Sequence, residues 1–234
     1  STTDSIRAFL DYLSHEAAAS PLTIETYQSD LRSFTAYAEE RLGEPFVPSE
    51  GDLDLVRGWL SVKLDEGLKA STVGRCLTSV RSFYRHLLKR GQIKRNPIQA
   101  LRPPKAARPL PVYVPTEDME QMLSEEVDPT DWRAIRDHLI LTMLYECGLR
   151  RSEIAGLRDQ AVDTTERQLK VLGKGRKERI VPFGKGLAEE IEAWRHLRTS
   201  IFGTTESFFV SSKGTPMAPR SVYQVAHAAL ATVP

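Results

Sequence analysis

The sequence has 234 residues, enough for one large domain or two of ordinary size, each with its own core. Hydrophobic residues make up 41% and charged residues 27%, which excludes a disordered chain, and no apolar run approaches the roughly 20 residues that a membrane helix needs. Two cysteines and five histidines at no ligand spacing exclude a disulfide framework and leave a metal-dependent nuclease without its main support. No signal-peptide pattern opens the chain, so a cytoplasmic protein with no membrane partner is expected.

The first hundred residues read as helix throughout. One helix opens near Asp4 with Ile6, Phe9, Leu10 and Leu13 on one face. Ser20-Pro21, a cap followed by proline at the first helical position, announces a second, whose apolar positions run Ile24, Tyr27, Leu31, Phe34 and Ala38 up to Gly43. A third spans about Asp52 to Glu66, and a fourth runs from a cap at Ser71 to Gly91. A short fifth piece is expected after Asn96-Pro97, where the residue before proline breaks the helix. Arg102 to Pro111 holds four prolines and no periodicity, and reads as an extended connector between two domains.

Beyond it, Thr116 to Leu123 and Asp131 to Cys147 are helical and Ser152 to Leu157 is a short helix. Gln168 to Val171 and Glu178 to Val181 are strands flanking the basic turn Gly173-Lys174-Gly-Arg-Lys177. Lys185 to Arg198 is helical, Ser207 to Val210 a strand, and Pro219 to Ala231 a helix, so this half is mixed α+β and mainly helical.

The net charge of +1 hides an uneven distribution. Between Glu66 and Glu117 there is no acid at all against eleven Lys and Arg, a one-sign segment suited to a polyanion. Turned at 100° per residue, the fourth helix puts Val73, Leu77, Val80, Tyr84 and Leu87 on a core stripe. The opposite face then carries Ser71, Arg75, Thr78, Ser82, Arg85 and Lys89, guanidinium and hydroxyl groups of the kind that reach base edges and phosphates in a major groove. The second helix adds Thr26, Gln28 and Arg32. A polar outer face is ordinary for a bundle helix, so it is the absence of acids from residues 67–116 that points to DNA.

The stretch Leu144-Tyr-Glu-Cys-Gly-Leu-Arg150-Arg-Ser-Glu153-Ile-Ala-Gly-Leu157 resembles the first-arginine motif of the tyrosine site-specific recombinases, the phage integrase family. Gly173-Lys174-Gly-Arg-Lys177-Glu-Arg179-Ile-Val-Pro182, beginning 23 residues after Arg150, is similar to that family's β-hairpin lysine motif. Phe9 to Leu13, Ser20 to Thr23, Tyr27-Gln28, Arg81 to Tyr84 and Asn96-Pro97 look like the core-binding domain of bacterial Xer recombinases. The resemblance implies a mainly α fold: a four- or five-helix SAM-like core-binding bundle over residues 1–102, a Pro-rich linker over 103–112, and part of an α+β catalytic domain with a small β-hairpin over 113–234.

It also implies roles. Strand cleavage without a metal or cofactor needs cations on the charge that develops at the phosphorane oxygens, and a planar arginine fork supplies them. By the resemblance Arg150 is such a clamp, Lys174 is the acid that protonates the departing 5′ oxygen, and Glu153 orients an arginine. Lys177 and Arg179 either contact phosphate or are solvated. The implied partners are double-stranded DNA and further recombinase subunits, a tetramer on paired sites.

The sequence departs from the family in two respects. No histidine is followed by arginine three residues on, and no tyrosine, Tyr223 included, is assigned as the nucleophile that forms a 3′-phosphotyrosyl link. The missing segment is expected to start about where Pro234 falls, so these residues are expected to bind DNA without cutting it. A DNA-binding accessory occupying a recombination site is the alternative; a type IB topoisomerase-like enzyme shares the chemistry but fits the first half poorly.

Overall fold

The computed structural model describes residues 1–105, 115–173 and 177–231. The chain forms two compact units, Ser1–Leu110 and Pro111–Pro234.

In the first unit α1 spans Thr2–His15, α2 Pro21–Leu42, α3 Leu53–Asp65 and α4 Ala70–Lys89. Helix α1 starts ahead of Asp4 because the Ser1 hydroxyl accepts the Asp4 N–H at 3.3 Å. The Ser20 hydroxyl caps α2 by accepting the Thr23 N–H at 3.1 Å, and Gly43, at φ 72°, ends that helix in the left-handed conformation. Helix α4 begins at Ala70, so Ser71 lies inside its first turn and caps nothing. Asp52 precedes α3 without capping it. Its buried carboxylate accepts the Ser49 N–H and hydroxyl at 2.6 and 2.7 Å and takes the Tyr84 hydroxyl of α4 as well.

The apolar stripe of α4, Val73, Leu77, Val80, Tyr84 and Leu87, is fully buried, together with Phe9, Leu31 and Trp59 from the other three helices. Phe34 of α2 sits between the rings of Phe46 and Trp59 at 5.3 and 5.4 Å. The expected fifth helical piece is a run of turns. Pro97 brings no N–H, and the Asn96 side chain takes the Ile98 N–H at 3.0 Å, so the first hydrogen bond of a helix is replaced by an Asn-side-chain turn that buries Ile98.

In the second unit α5 spans Thr116–Ser124, α6 Trp132–Glu146 and α7 Arg151–Ala155; after a 3₁₀ turn come β1 Val162–Asp163, β2 Gln168–Leu172 and β3 Glu178–Pro182, then α8 Lys185–Phe202 and α9 Pro219–Leu230. The strands form one antiparallel sheet in the order β1-β2-β3, with Leu169 opposite Val181 and Val171 opposite Arg179. Strand β1 is two residues long, too short to show alternation in the sequence. The core joins Ile140 and Met143 of α6, Ile154 of α7, Leu169 and Val171 of β2, Ile191 and Trp194 of α8, and Val222 of α9.

Residues 207–210 do not form the expected strand. They make isolated bridges, Arg158 with Ser207 and Val210 with Pro216. Side chains take their carbonyls instead: Trp194 Nε1 donates to Phe208 O at 2.9 Å, Arg198 Nη1 to Ser207 O and Phe208 O at 3.1 and 3.0 Å, and Arg136 Nη1 to Val210 O at 3.0 Å. No helix among the described residues is long and apolar enough to cross a membrane.

Candidate functional site

The second unit brings the two sequence motifs together. Gly148, at φ 58°, ends α6 with a left-handed turn, which lets Leu149 plug into the core and leaves Arg150 in extended conformation just ahead of α7. Three residues on, Glu153 points back, and its Oε2 accepts the Arg150 backbone N–H at 2.7 Å. Its Oε1 accepts Arg150 Nη1 at 3.1 Å.

The register of the hairpin completes the cluster. Val171 faces the core and Arg179 stands opposite it on the same side of the sheet, so its guanidinium is carried toward α7. Arg179 Nη1 and Nη2 donate to Glu153 Oε1 and Oε2 at 2.5 and 3.0 Å, a two-pronged ion pair. One carboxylate whose side chain is only 3% exposed therefore serves two arginines, while the Arg150 side chain remains 67% exposed. Hydrogen bonding from Arg179, ahead of the Arg150 N–H, holds the Glu153 carboxyl down at about 2 despite the opposing effect of burial. Glu153 is thus a fixed anion, and the Arg150 guanidinium commits one Nη to it while its side chain stays largely exposed.

Gly173 N–H donates to Lys177 O at 2.8 Å and closes the base of the hairpin, with the Lys177 side chain exposed. Lys174, the expected acid, lies outside the described residues. Arg151 stacks over the ring of Tyr223 at 5.1 Å, which ties α9 to the residue beside Arg150. Among the described residues no group of three His, Cys, Asp or Glu side chains is placed to hold a metal ion.

In the first unit, Ser71, Arg75, Thr78, Arg85 and Lys89 of α4 are exposed and Ser82 is half-buried; on α2, Gln28 and Arg32 are exposed and Thr26 is half-buried. Several cations of the acid-free segment meet anions from elsewhere in the unit: Arg75 pairs with Asp30 at 2.5 Å, Arg95 with Glu50 at 3.3 Å and Arg90 with Glu16 at 3.8 Å. Lys89 lies over the Tyr12 ring at 5.1 Å. The positive field of the segment is therefore weaker than its sequence count. Sequence reasoning passed over Asp30 altogether. The only signal was an acid on the otherwise apolar side of α2, between Tyr27 and Phe34.

Residues 113–232 match the phage integrase family, and residues 6–91 match the phage integrase N-terminal SAM-like domain. The chain belongs to the phage integrase family, the tyrosine recombinases. Its similar proteins include the tyrosine recombinase XerC of Pelobacter propionicus, 34% identical over 226 residues that cover 96% of this chain and 74% of the relative. XerC of Escherichia coli O127:H6 is 32% identical over 217 residues, covering 93% of this chain and 72% of the relative. Among solved structures, a lambda integrase tetramer bound to a Holliday junction shares the fold with a TM-score of 0.64 at 17% identity, over 98% of this chain and 66% of that one. The Tn1549 transposon integrase in complex with transposon right end DNA does so at 0.62 and 16% identity, over 92% and 73%.

Proposed function

We propose that this chain grips duplex DNA with the outward faces of α2 and α4 and presents Arg150 and Lys174 to a phosphate, as part of an Xer-like recombinase that breaks and rejoins strands through a 3′-phosphotyrosyl intermediate. The observation that carries this reading is the Glu153 carboxylate, which holds the arginine of the Gly-Leu-Arg motif by both its backbone and its guanidinium while leaving the fork exposed. Arg150 stabilises the charge on the phosphorane oxygens, and Lys174 gives a proton to the 5′ oxygen as it leaves. Arg179, whose fork is spent on Glu153, serves to hold that carboxylate. A structural neighbour that is a tetramer on a Holliday junction supports DNA and further subunits as partners.

No tyrosine in residues 1–234 takes the nucleophile's role in this reading, so these residues bind DNA without cleaving it. Anisotropy of a labelled duplex should show affinity falling steeply with salt, each neutralised phosphate adding about −0.9 to the slope of log K against log salt. Affinity indifferent to salt would sink the reading. On a nicked suicide substrate the same residues should leave no covalent protein–DNA adduct on a denaturing gel, and an adduct would make Tyr223 the first suspect. The proposed linker is tested by limited proteolysis, which should cut first between residues 102 and 114; first cuts inside α4 would argue against two separately folding domains.

A further inference from the structure

The packing of α2 against α4 is apolar, with Leu31 and Phe34 on one side and Val73, Leu77 and Val80 on the other, except for the buried Asp30 carboxylate and the Ser79 hydroxyl that meets it. Asp30 Oδ2 accepts the Ser79 hydroxyl at 2.6 Å and Arg75 Nη1 at 2.5 Å, and its Oδ1 accepts the Cys76 thiol at 3.6 Å. Placing an anion there incurs a desolvation penalty that an apolar residue would not, so the anion is poor glue for two helices. What it does specifically is fix Arg75. With Nη1 on Asp30 and Nη2 on the Cys76 sulfur at 3.6 Å, two of the five guanidinium N–H groups are committed inward. The Arg75 side chain is still 43% exposed on the outward face of α4. Arg85, exposed on the same face, has no ion-pair partner among the described residues.

We propose that Asp30 is a positioning residue that holds the Arg75 fork in one orientation, so that Arg75 selects DNA sequence while Arg85 supplies unselective attraction. The inference rests on the duplex-binding reading above. A free arginine must lose rotamer freedom when it meets a base edge; a tethered one has already done so, and its planar fork discriminates by direction. The tether also offsets the charge of Arg75, which makes it a weak contributor to general phosphate attraction and leaves geometry as its main asset.

The test is selection from a pool of randomised duplexes by the wild-type chain, Asp30→Asn, Arg75→Ala and the double variant, read by sequencing and by competition with random duplex. Arg75→Ala should erase the preference at one base pair by about 5- to 150-fold, the range of one bidentate base contact. Asp30→Asn should erase the preference at that same base pair by a comparable factor, and the double variant should lose no more than either, since the two act as a unit. Because Asp30→Asn removes a negative charge beside the phosphates, its affinity for random duplex should hold or rise, which a merely structural role would not produce. Asp30→Asn with full selectivity, or with selectivity and random-duplex affinity falling together, overturns the proposal. A wild-type chain that binds no duplex removes the DNA reading itself, whereas a selective wild type with a selective Arg75→Ala removes only this inference. Should Asp30→Asn fail to fold, arginine side-chain NMR of the wild type decides: the Arg75 Nη resonances should show slow rotation and those of Arg85 fast averaging, and fast averaging at Arg75 overturns the proposal.

Discussion

Arg150→Ala is expected to slow DNA cleavage by about 10² to 10³-fold in the form of the protein that makes the covalent DNA link, the range for losing one preorganised donor to a developing oxyanion. DNA affinity should change little, because in the proposed reading the exposed fork of Arg150 is one cation among several that would meet the backbone. The size of the effect follows from the tether. Glu153 fixes both the Arg150 amide and one Nη, so no reorganisation is needed when charge appears on the phosphate oxygens. Arg150→Lys keeps the charge but not the fork, and should recover part of the rate at most. Single-turnover cleavage of a nicked suicide substrate measures this directly. Cleavage that is normal once DNA is bound would remove Arg150 from the chemistry. In the same assay Lys174→Ala should be slow on ordinary DNA and rescued by a 5′ leaving group that needs no proton; failure of the rescue would take the acid's role from Lys174.

The second large effect is expected in acid. Glu153 titrates at about 2 when folded, below its ordinary value of 4.5, so the unfolded chain binds the proton more readily. The stabilisation is fully present above pH 4.5 and is lost as pH falls from there through about 2. Discounted for the solvent that reaches both arginines, it amounts to ~2 kcal/mol. Glu153→Gln removes the anion at every pH. Hydrogen exchange of the α7 and β2–β3 amides, which reports the second unit apart from the first, should show wild type better protected than Glu153→Gln at pH 7. The gap should close toward pH 2 to 3. A gap of constant size across that range would show that charge is not what Glu153 contributes.

Much of the local structure could be read directly from the sequence. The stripe from Val73 to Leu87 is a period of 3.6 residues and nothing more, and the Ser20-Pro21 start is chemistry within four residues. The motif around Arg150 carries its own geometry for the same reason: the distance from Arg150 to Glu153 is one turn of helix. What escaped the sequence is non-local. Arg179 finds Glu153 only because the β2–β3 register sets it opposite Val171, and from sequence alone Arg179 was open between phosphate contact and solvent. Asp30 and Arg75 lie on different helices, so their pairing depends on how α2 and α4 pack. Asn96-Pro97 misled in the opposite direction, since a break signal was read as the start of a helix where the Asn side chain had already closed the turn.

The anchoring of residues 207–210 bears on how this fold tolerates change. A carbonyl oxygen is common to every amino acid, so the polar attachment of this segment is indifferent to which side chains it carries, and it is the filling of the core that constrains Phe208, Phe209 and Val210. The donors have no such latitude. Arg136 and Trp194 each reach one specific oxygen and Arg198 reaches two, on helices whose ends they do not mark. Polar chemistry thus constrains three scattered helical positions, while in the irregular segment only size and apolarity are constrained, unlike the usual loop that varies because nothing holds it.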